Sequence, residues 1–341
     1  MKRGWLVLIP VALAVAMIPL GISPSRRLVP HQILERIYFG GGDQPYVGVC
    51  ETETQLVGEK VRVRARVTRA RPKQVRVEYL DGPVTGLIVV QDGSRHWRYD
   101  PRLSAVHAWE HPESEDQRDL ELLTENYLVK DEGKETVAGR SARVLSLMCR
   151  RTGKVAKRIW VDESTSVTLA SEDFDCHGHF RSSSRLLEAR FSPVPDTSVF
   201  LPPSGVTTSF AEEPASEPME RPALERRLGF AVKMPTGVSK RFRLRGLYLS
   251  RCPYGCGMVS AQMRYSDGLR SFSVFETVPC DCACVSRKVC AQDADLDEQT
   301  SCFVAEYGTG TMVSDTMGDV LVAVVGELPR EDLLKIATSL R

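Results

Sequence analysis

The sequence has almost no net charge. Its 341 residues carry 45 lysines and arginines against 44 aspartates and glutamates, which gives a formal net charge of +1. A chain without an overall positive field has no general attraction for nucleic acid or for an acidic polymer. The composition, 42% hydrophobic and 26% charged, is that of a globular protein long enough for two hydrophobic cores.

The sequence also lacks the short motifs of common enzymes. It contains no G-x-S-x-G, H-E-x-x-H or G-x-x-x-x-G-K-[ST] segment, and no Cys-x-x-Cys-His site for covalent haem. Two of its six histidines, His177 and His179, lie in the segment DCHGH, which could hold a metal but is more typical of a hairpin tip. We therefore expect no enzyme, no cofactor and no bound metal.

The N-terminal region has no cysteine and so no lipobox, but it does carry an export signal. Lys2 and Arg3 precede an apolar run from Trp5 to Ile22, which is typical of a secretory signal or of an uncleaved anchor. No clean A-x-A cleavage site follows. We assign residues 1–27 to a signal peptide or membrane anchor and expect a periplasmic or cell-envelope protein. If the segment is retained, it anchors the protein in the inner membrane.

Export into an oxidising compartment is consistent with the ten cysteines, an even number. The spacings C-x3-C and C-x-C-x-C leave a zinc site open as an alternative, but the compartment favours disulfides. A hairpin turn at Ser266–Gly268 would bring Cys256 close to Cys280, Cys282 and Cys284, and we expect a disulfide between Cys256 and one of these three. The disulfide candidates are Cys252, Cys256, Cys280, Cys282, Cys284, Cys290 and Cys302.

Alternating residues predict a β-rich N-terminal domain. Within the basic segment from Lys60 to Arg76, apolar residues alternate with arginines, which predicts a strand with one buried and one solvated face. A helix is predicted from about Glu115 to Tyr127, with Leu120 and Leu123 on one side. Many antiparallel strands with few helices predict an α+β fold, in which a curved sheet has helices against one face.

A composition change divides the chain. Seven prolines and several glutamates between Ser192 and Pro222 predict an exposed linker. We assign residues 28–202 to the N-terminal domain, 203–222 to the linker and 223–341 to a smaller α+β domain. The second domain is interrupted by a cysteine-rich insertion at residues 279–302, and its closing helix is predicted from about Arg330 to Leu340.

Six stretches of sequence are distinctive. Three lie in the second unit: GFAVKMPTG at Gly229–Gly237, YSDGLRSFSVF at Tyr265–Phe275 and GDVLVAVVGELPREDLLKIATSL at Gly318–Leu340. Three lie in the first unit: WRYDP at Trp97–Pro101, NYLVKDEGKETVAGRSARVLSL at Asn126–Leu147 and RIWVDESTSVTLASEDFDCHG at Arg158–Gly178. On these stretches the second unit resembles the C-terminal domain of the MucB/RseB family, periplasmic regulators of the envelope-stress sigma factor. The first unit is similar to the lipoprotein-carrier (LolA-like) fold of that family's N-terminal domain.

The resemblance implies an open, strongly curved antiparallel half-barrel with helices on its concave face. Such a half-barrel exposes an apolar groove that can take an acyl chain or a hydrophobic peptide. The alternating strands supply apolar residues for that groove, although each of them taken singly is more often ordinary core. The groove candidates are Val61, Val63, Val75, Val77 and Tyr79.

In function, the resemblance implies a protein that binds the periplasmic part of a transmembrane anti-sigma factor and shields it from proteolysis. Lipid or lipoprotein acyl chains would weaken that binding, which requires different affinities for the two states. The insertion at residues 279–302 departs from the family pattern. Two alternatives are a LolA-like carrier of lipid or lipoprotein and a metal or thiol-redox protein that uses the cysteine cluster. The second domain favours the regulator, because a carrier needs only the first fold.

Overall fold

The computed structural model describes residue 30 and residues 32–34, 44–55, 59–71, 74–93, 95–110, 116–191, 195–210, 217–251, 258–278, 295–307 and 310–341. Within these ranges the strands form two sheets, one of twelve strands and one of seven. No helix in the described ranges is long and apolar enough to cross a membrane. The predicted signal or anchor segment, residues 1–27, lies outside the described residues.

The first sheet contains strands β1 to β12 in the order β12-β6-β5-β4-β3-β2-β1-β11-β10-β9-β8-β7. All its neighbouring strands are antiparallel except β12 and β6, which are parallel. Bulges in several strand pairs bend the sheet. The strands are Tyr46–Gln55, Lys60–Arg71, Gln74–Tyr79, Ile88–Asp92, Arg95–Asp100, Ala105–Glu110, Tyr127–Val137, Arg140–Cys149, Val155–Asp162, Thr168–Phe174, Phe180–Phe191 and Thr207–Phe210.

Helix α1, Asp116–Asn126, packs against one face of this sheet and confirms the predicted helix. Its leucines Leu120 and Leu123 are buried together with Leu145 and Ile159 of β8 and β9. Ile33 and Leu34, from the helical residues 32–34, complete this cluster. We call the face that α1 covers the inner face of the sheet.

The opposite, outer face is charged along β2. Arg62, Arg64 and Arg66 are exposed there, as the alternating pattern predicts. Arg64 Nε donates to Asp81 Oδ2 at 2.6 Å. These arginines are neutralised by neighbouring carboxylates, so the basic segment is not a free cationic patch.

Further along the outer face lies a separate apolar cluster. Trp97, Val90 and Val106 pack beneath Phe200, which belongs to a 3-10 turn at Thr197–Phe200. The Trp97 indole Nε1 donates to the Phe200 carbonyl at 3.0 Å. The segment after β11 therefore folds back across the outer face of the sheet.

The second sheet contains strands β13 to β19 in the order β13-β14-β15-β19-β18-β17-β16. One face packs against helices α2, Arg221–Leu228, and α3, Arg330–Thr338, in a single buried cluster that includes Leu224, Val274 and Leu333. The predicted closing helix is confirmed. The strands are Arg243–Arg251, Val259–Ser266, Ser271–Thr277, Asp295–Asp297, Cys302–Tyr307, Gly310–Met317 and Val320–Gly326.

The segment predicted as a linker, residues 203–222, is folded at both of its ends. Thr207–Phe210 forms β12 and pairs with β6, so this stretch belongs to the first sheet and corrects the prediction. Strand pairing uses backbone groups, which the side-chain composition does not reveal. Arg221 and Pro222 begin α2. The division of the chain into two domains stays a prediction.

Candidate binding face and interdomain contact

The five groove candidates lie on one face of the first sheet. Val77 of β3 pairs with Val67 of β2, and Tyr79 pairs with Ala65. Side chains of directly paired residues point to the same face, and alternation places Val61, Val63 and Val75 there as well. All five side chains are half-buried.

This face is the same inner face that α1 covers. A row of directly paired residues crosses it from β2 to β8 and joins the groove candidates to the α1 core. The row consists of Val61, Thr54, Ser182, Asp173, Lys157 and Leu147. The inner face is therefore apolar at both ends of the row, with a polar strip between them.

Val63 has a close neighbour outside its own strand. A 3-10 turn, Gly82–Val84, follows β3, and a Cβ placed on Gly82 would lie 2.7 Å from Val63 Cγ1. Gly82 also has a φ of +76°, in the region that favours glycine. The turn limits the exposure of Val63 on one side.

A cavity of about 280 Å³ lies next to the polar strip, where the two sheets meet. The first sheet lines it with Lys157, Asp173 and Arg181, and the second sheet contributes Leu269 and Arg270. Lys157 Nζ donates to Asp173 Oδ1 at 2.9 Å. The cavity can accept a small polar group next to the apolar part of the inner face.

The β14–β15 hairpin joins the two sheets through its tip. The predicted turn at Ser266–Gly268 is confirmed, since Ser266 pairs with Ser271. Asp267 is fully buried, and its Oδ2 accepts a hydrogen bond from the Tyr127 hydroxyl at 2.8 Å. Arg241 Nε lies 3.4 Å from the same oxygen, a charge contact that lacks hydrogen-bond geometry.

Side chains of α1 also contact this hairpin and the strand next to it. Asn126 Nδ2 donates to the backbone oxygens of Asp267 and Arg241 at 3.0 and 3.1 Å. The Arg245 guanidinium lies 3.4 Å from Asp119, at a site where its side chain is only 7% exposed. Burial, followed by the Asp267 charge and its hydrogen bond, raises the pKa of the Tyr127 hydroxyl well above its usual range. The hydroxyl therefore stays a proton donor at any physiological pH.

Gly268 allows the close approach of this turn to α1. Its φ is +92°, and a Cβ at this position would lie 2.2 Å from the Leu123 backbone nitrogen and 2.6 Å from the Asp119 carbonyl oxygen. Only glycine meets both requirements without moving one backbone away from the other. The hairpin tip is thus shaped for the surface of α1.

Most of the disulfide candidates lie outside the described residues. These are Cys252, Cys256, Cys280, Cys282, Cys284 and Cys290. Cys302 is described and differs from the prediction, because its thiol is free and fully buried. Its Sγ lies 3.8 Å from the Thr300 carbonyl and from the Arg341 guanidinium. Burial raises the pKa of this thiol. The disulfide hypothesis for the other six cysteines stays a prediction.

The DCHGH segment forms the tip of the β10–β11 hairpin. Asp175 accepts hydrogen bonds from the backbone nitrogens of His177 and His179, each at 2.8 Å. His177 Nε2 lies 3.1 Å from Glu331 of α3, a second contact between the two sheets. No group of three potential metal ligands is assembled anywhere in the described part of the chain.

These features define a protein of two sheets, the larger of which is open and has an inner face partly covered by helices. The family described as the MucB/RseB N-terminal domain matches residues 30–203, and the chain belongs to this family. No curated protein matches the chain.

Solved structures of MucB have the same fold across both domains. A crystal structure of MucB in complex with MucA(peri) has a TM-score of 0.61 at 19% identity, covering 92% of this chain and 98% of that chain. The MucA/MucB complex of Pseudomonas aeruginosa has a TM-score of 0.62 at 19% identity with the same coverage. MucB alone has 0.52 at 16% identity, covering 91% of this chain and 96% of that chain. The predicted α+β fold with an open, largely antiparallel sheet is confirmed.

Sequence reasoning missed the residues of the interdomain contact. Asp267 was predicted only as a turn residue, and Tyr127 only as the end of a helix. No sequence pattern indicated a role for Arg241 or Arg245, because the residues that they contact are distant in sequence. The segment Ser266-Asp267-Gly268 could have indicated a tight turn with a buried aspartate, but not the element it contacts.

Proposed function

We propose that this protein is an envelope-stress regulator that binds the periplasmic part of a membrane-spanning anti-sigma factor and catalyses no reaction. Family membership and the likeness to MucB, solved in complex with MucA, support this proposal. The observation that carries it is that the likeness extends over 92% of the chain and so includes both sheets. We propose a periplasmic location, which the resemblance and the predicted export signal both support.

The second sheet separates this proposal from a simple carrier. A lipid or lipoprotein carrier needs only the first sheet, whereas here the β14–β15 hairpin docks on Asn126 of α1 and on Tyr127 of β7 through Asp267. A buried contact that includes a hydrogen bond of this kind fixes the position of one domain against the other. A protein partner that touches both domains would use that fixed arrangement.

The apolar inner face supports a finer proposal, that an acyl chain regulates the binding of the anti-sigma factor. Val61, Val75 and Val77 are half-buried on one face of the sheet, so a chain lying along that face would remove further apolar surface from water. Its polar end would reach the strip and the cavity beside Lys157. The acyl chain releases the partner only if it binds the free protein more tightly than the complex.

Affinity purification from envelope extract tests the main proposal. The tagged full-length chain should retain a protein with one membrane-spanning segment, identified by mass spectrometry as an anti-sigma factor, and the purified pair should rebind in solution. Recovery of acyl chains with no such protein would instead support the carrier.

Two substitutions test the acyl-chain proposal. Val63→Glu and Val77→Glu place a charge on the half-buried face and should weaken binding of a fluorescent fatty acid at least tenfold, because a buried carboxylate opposes an apolar ligand. Leu187→Glu is the matched control, since Leu187 is 46% exposed on β11. Circular dichroism and thermal melting check that all three variants fold. Unchanged affinity in both folded groove variants would mean that the valines do not contact the ligand.

A further inference from the structure

A second cavity of about 280 Å³ lies between α3, the loop before β13 and the β8–β9 turn. Its floor is apolar and is formed by Phe242, Leu328 and Ile336, all of them buried. Arg151 enters from the β8–β9 turn of the first domain, and Lys240 and Lys335 enter from the second domain. We call this cavity the α3 cleft.

The three cations of the α3 cleft make no ion pair or side-chain hydrogen bond with any described residue, and all three are exposed. Elsewhere many exposed cations are paired, as Arg64 is with Asp81. Among the described residues that line the cleft, Asp332 is the one carboxylate. The rim therefore has a local excess of positive charge in a protein that is almost neutral as a whole.

The walls of the cleft are fixed before any ligand arrives. The Thr236 backbone nitrogen donates to Ser339 Oγ at 3.1 Å, which ties the loop before β13 to the end of α3. At Gly237 an added Cβ would lie 2.6 Å from the Lys335 carbonyl oxygen, so the loop is in close contact with the helix. A preformed cleft loses little conformational freedom on binding.

The size and charge of the cleft indicate the chemistry of its ligand. A volume of about 280 Å³ is near the lower limit for small-molecule sites, and it suits one large apolar side chain better than a whole ligand. Cations on three separate elements suit carboxylates spaced along an extended peptide. A lipid headgroup offers one compact charge and has no side chain for the floor.

We propose that the α3 cleft binds an acidic peptide segment, with an apolar side chain on Phe242 and carboxylates against Arg151, Lys240 and Lys335. This rests on the proposed function, because the segment would belong to the anti-sigma factor. Since Arg151 comes from the first domain and both lysines from the second, the bound segment contacts both domains at once. Binding of the partner then depends on the docked arrangement of the two sheets.

The test measures fluorescence polarisation of a fluorescein-labelled peptide, Glu-Glu-Leu-Phe-Glu-Glu, with the full chain. Lys240→Glu and Lys335→Glu should each weaken its binding about tenfold, because each reverses a charge at the rim. Arg227→Glu is the matched control, an exposed cation on α2 outside the cleft, and should leave the affinity within twofold. Raising the salt concentration should weaken the wild-type interaction.

Several outcomes would overturn the proposal. One is equal binding of the charge-reversed peptide Lys-Lys-Leu-Phe-Lys-Lys, and another is an equal loss in Arg227→Glu. A third is binding of phosphatidylglycerol vesicles that needs Lys240 and Lys335 while the acidic peptide does not bind, which would assign the cleft to lipid. If the chain captures an anti-sigma factor but the peptide fails, only the cleft proposal falls. If the peptide binds as expected but no anti-sigma factor is captured, the proposed function falls instead.

Discussion

The two sheets bury their apolar residues in different ways. Among the described residues, the second sheet has one continuous core under α2 and α3, which includes Val274, Val324 and Leu333. The larger first sheet divides its buried residues among three separate clusters on its two faces. The smaller domain is therefore a single packed unit, whereas the larger one leaves Val61 and Val75 half-buried on its inner face.

This difference separates stability from binding. When a core is closed on all sides, truncating any of its side chains lowers the free energy of unfolding of the protein. A half-covered face contributes less to stability and can take a ligand. The two sheets are connected by the Asp267 turn and the neighbouring contacts of α1, and by the contact between His177 and Glu331.

The largest expected effect comes from breaking that connection with Gly268→Ala. The added Cβ overlaps the Leu123 and Asp119 backbones, and the φ of +92° costs roughly 1–2 kcal/mol for alanine. Because backbone atoms cannot move aside as a side chain can, we expect the two sheets to separate. Small-angle scattering should show an increased radius of gyration.

Gly318→Ala is the matched control for this variant. Gly318 has a φ of +63° in the β18–β19 turn, but nothing lies within 4 Å of an added Cβ. The strained φ should lower the free energy of unfolding of Gly318→Ala by a similar amount. Its radius of gyration should not change. An unchanged radius in Gly268→Ala would show that the turn does not hold the domains together.

The second largest expected effect is a pH dependence of stability that arises from Glu276, in the core of the smaller sheet. This side chain is 1% exposed, and both of its carboxyl oxygens accept from the Lys233 backbone nitrogen at 3.1 Å. Burial raises its pKa to about 7 from 4.5, against the lowering effects of Lys233 and Arg221. A raised carboxyl pKa gives stability that is present below pH 4.5 and lost as the pH rises through 7.

Glu276→Gln should therefore match the wild type at pH 4.5 and exceed it at pH 8.5. The difference between the two unfolding free energies should approach roughly 3 kcal/mol, at about 1.4 kcal/mol for each pKa unit. Urea unfolding at both pH values measures it. Glu306→Gln, at an exposed position on β17, should show no such pH-dependent gain. A constant difference for Glu276→Gln would show that the buried carboxyl does not titrate in this range.

The smallest expected effect is a difference in stability loss between two Val→Ala variants, one at each end of the inner face. Val161→Ala lies in the cluster under α1, where Val161 is 2% exposed, and should lower the free energy of unfolding by roughly 2–3 kcal/mol. Val75→Ala removes the same atoms from a half-buried position and should lower it by less than about 1 kcal/mol. Chemical denaturation of both variants gives the comparison. Equal losses would mean that the β2–β3 end is closed core, and would remove the basis for an acyl-chain site there.

Local patterns predicted some elements and missed others. The alternating residues of β2 and the helical spacing of α1 were sufficient to place both. Strand β7 was missed because it lies at an edge of the sheet and most of its side chains are exposed, so that it has no alternation to detect. Helix α2 was not predicted, and its first two residues were assigned to the linker, although Pro222 in its first turn and Gly229 at its end are ordinary signals of helix boundaries.

The sequence by itself determined the strand and helix periods, the turn at Asp267, the resemblance to the family and the set of apolar residues on the inner face. These follow from neighbours a few positions apart, whose side chains share a face because of backbone geometry. Only the tertiary structure decided that α1 covers Val161 and leaves Val75 half-buried. It also decided that Tyr127 meets Asp267 across 140 positions, and that Arg151 faces Lys335 across the α3 cleft. Contacts of this kind depend on how separate elements pack, and no local pattern records which element will cover which face.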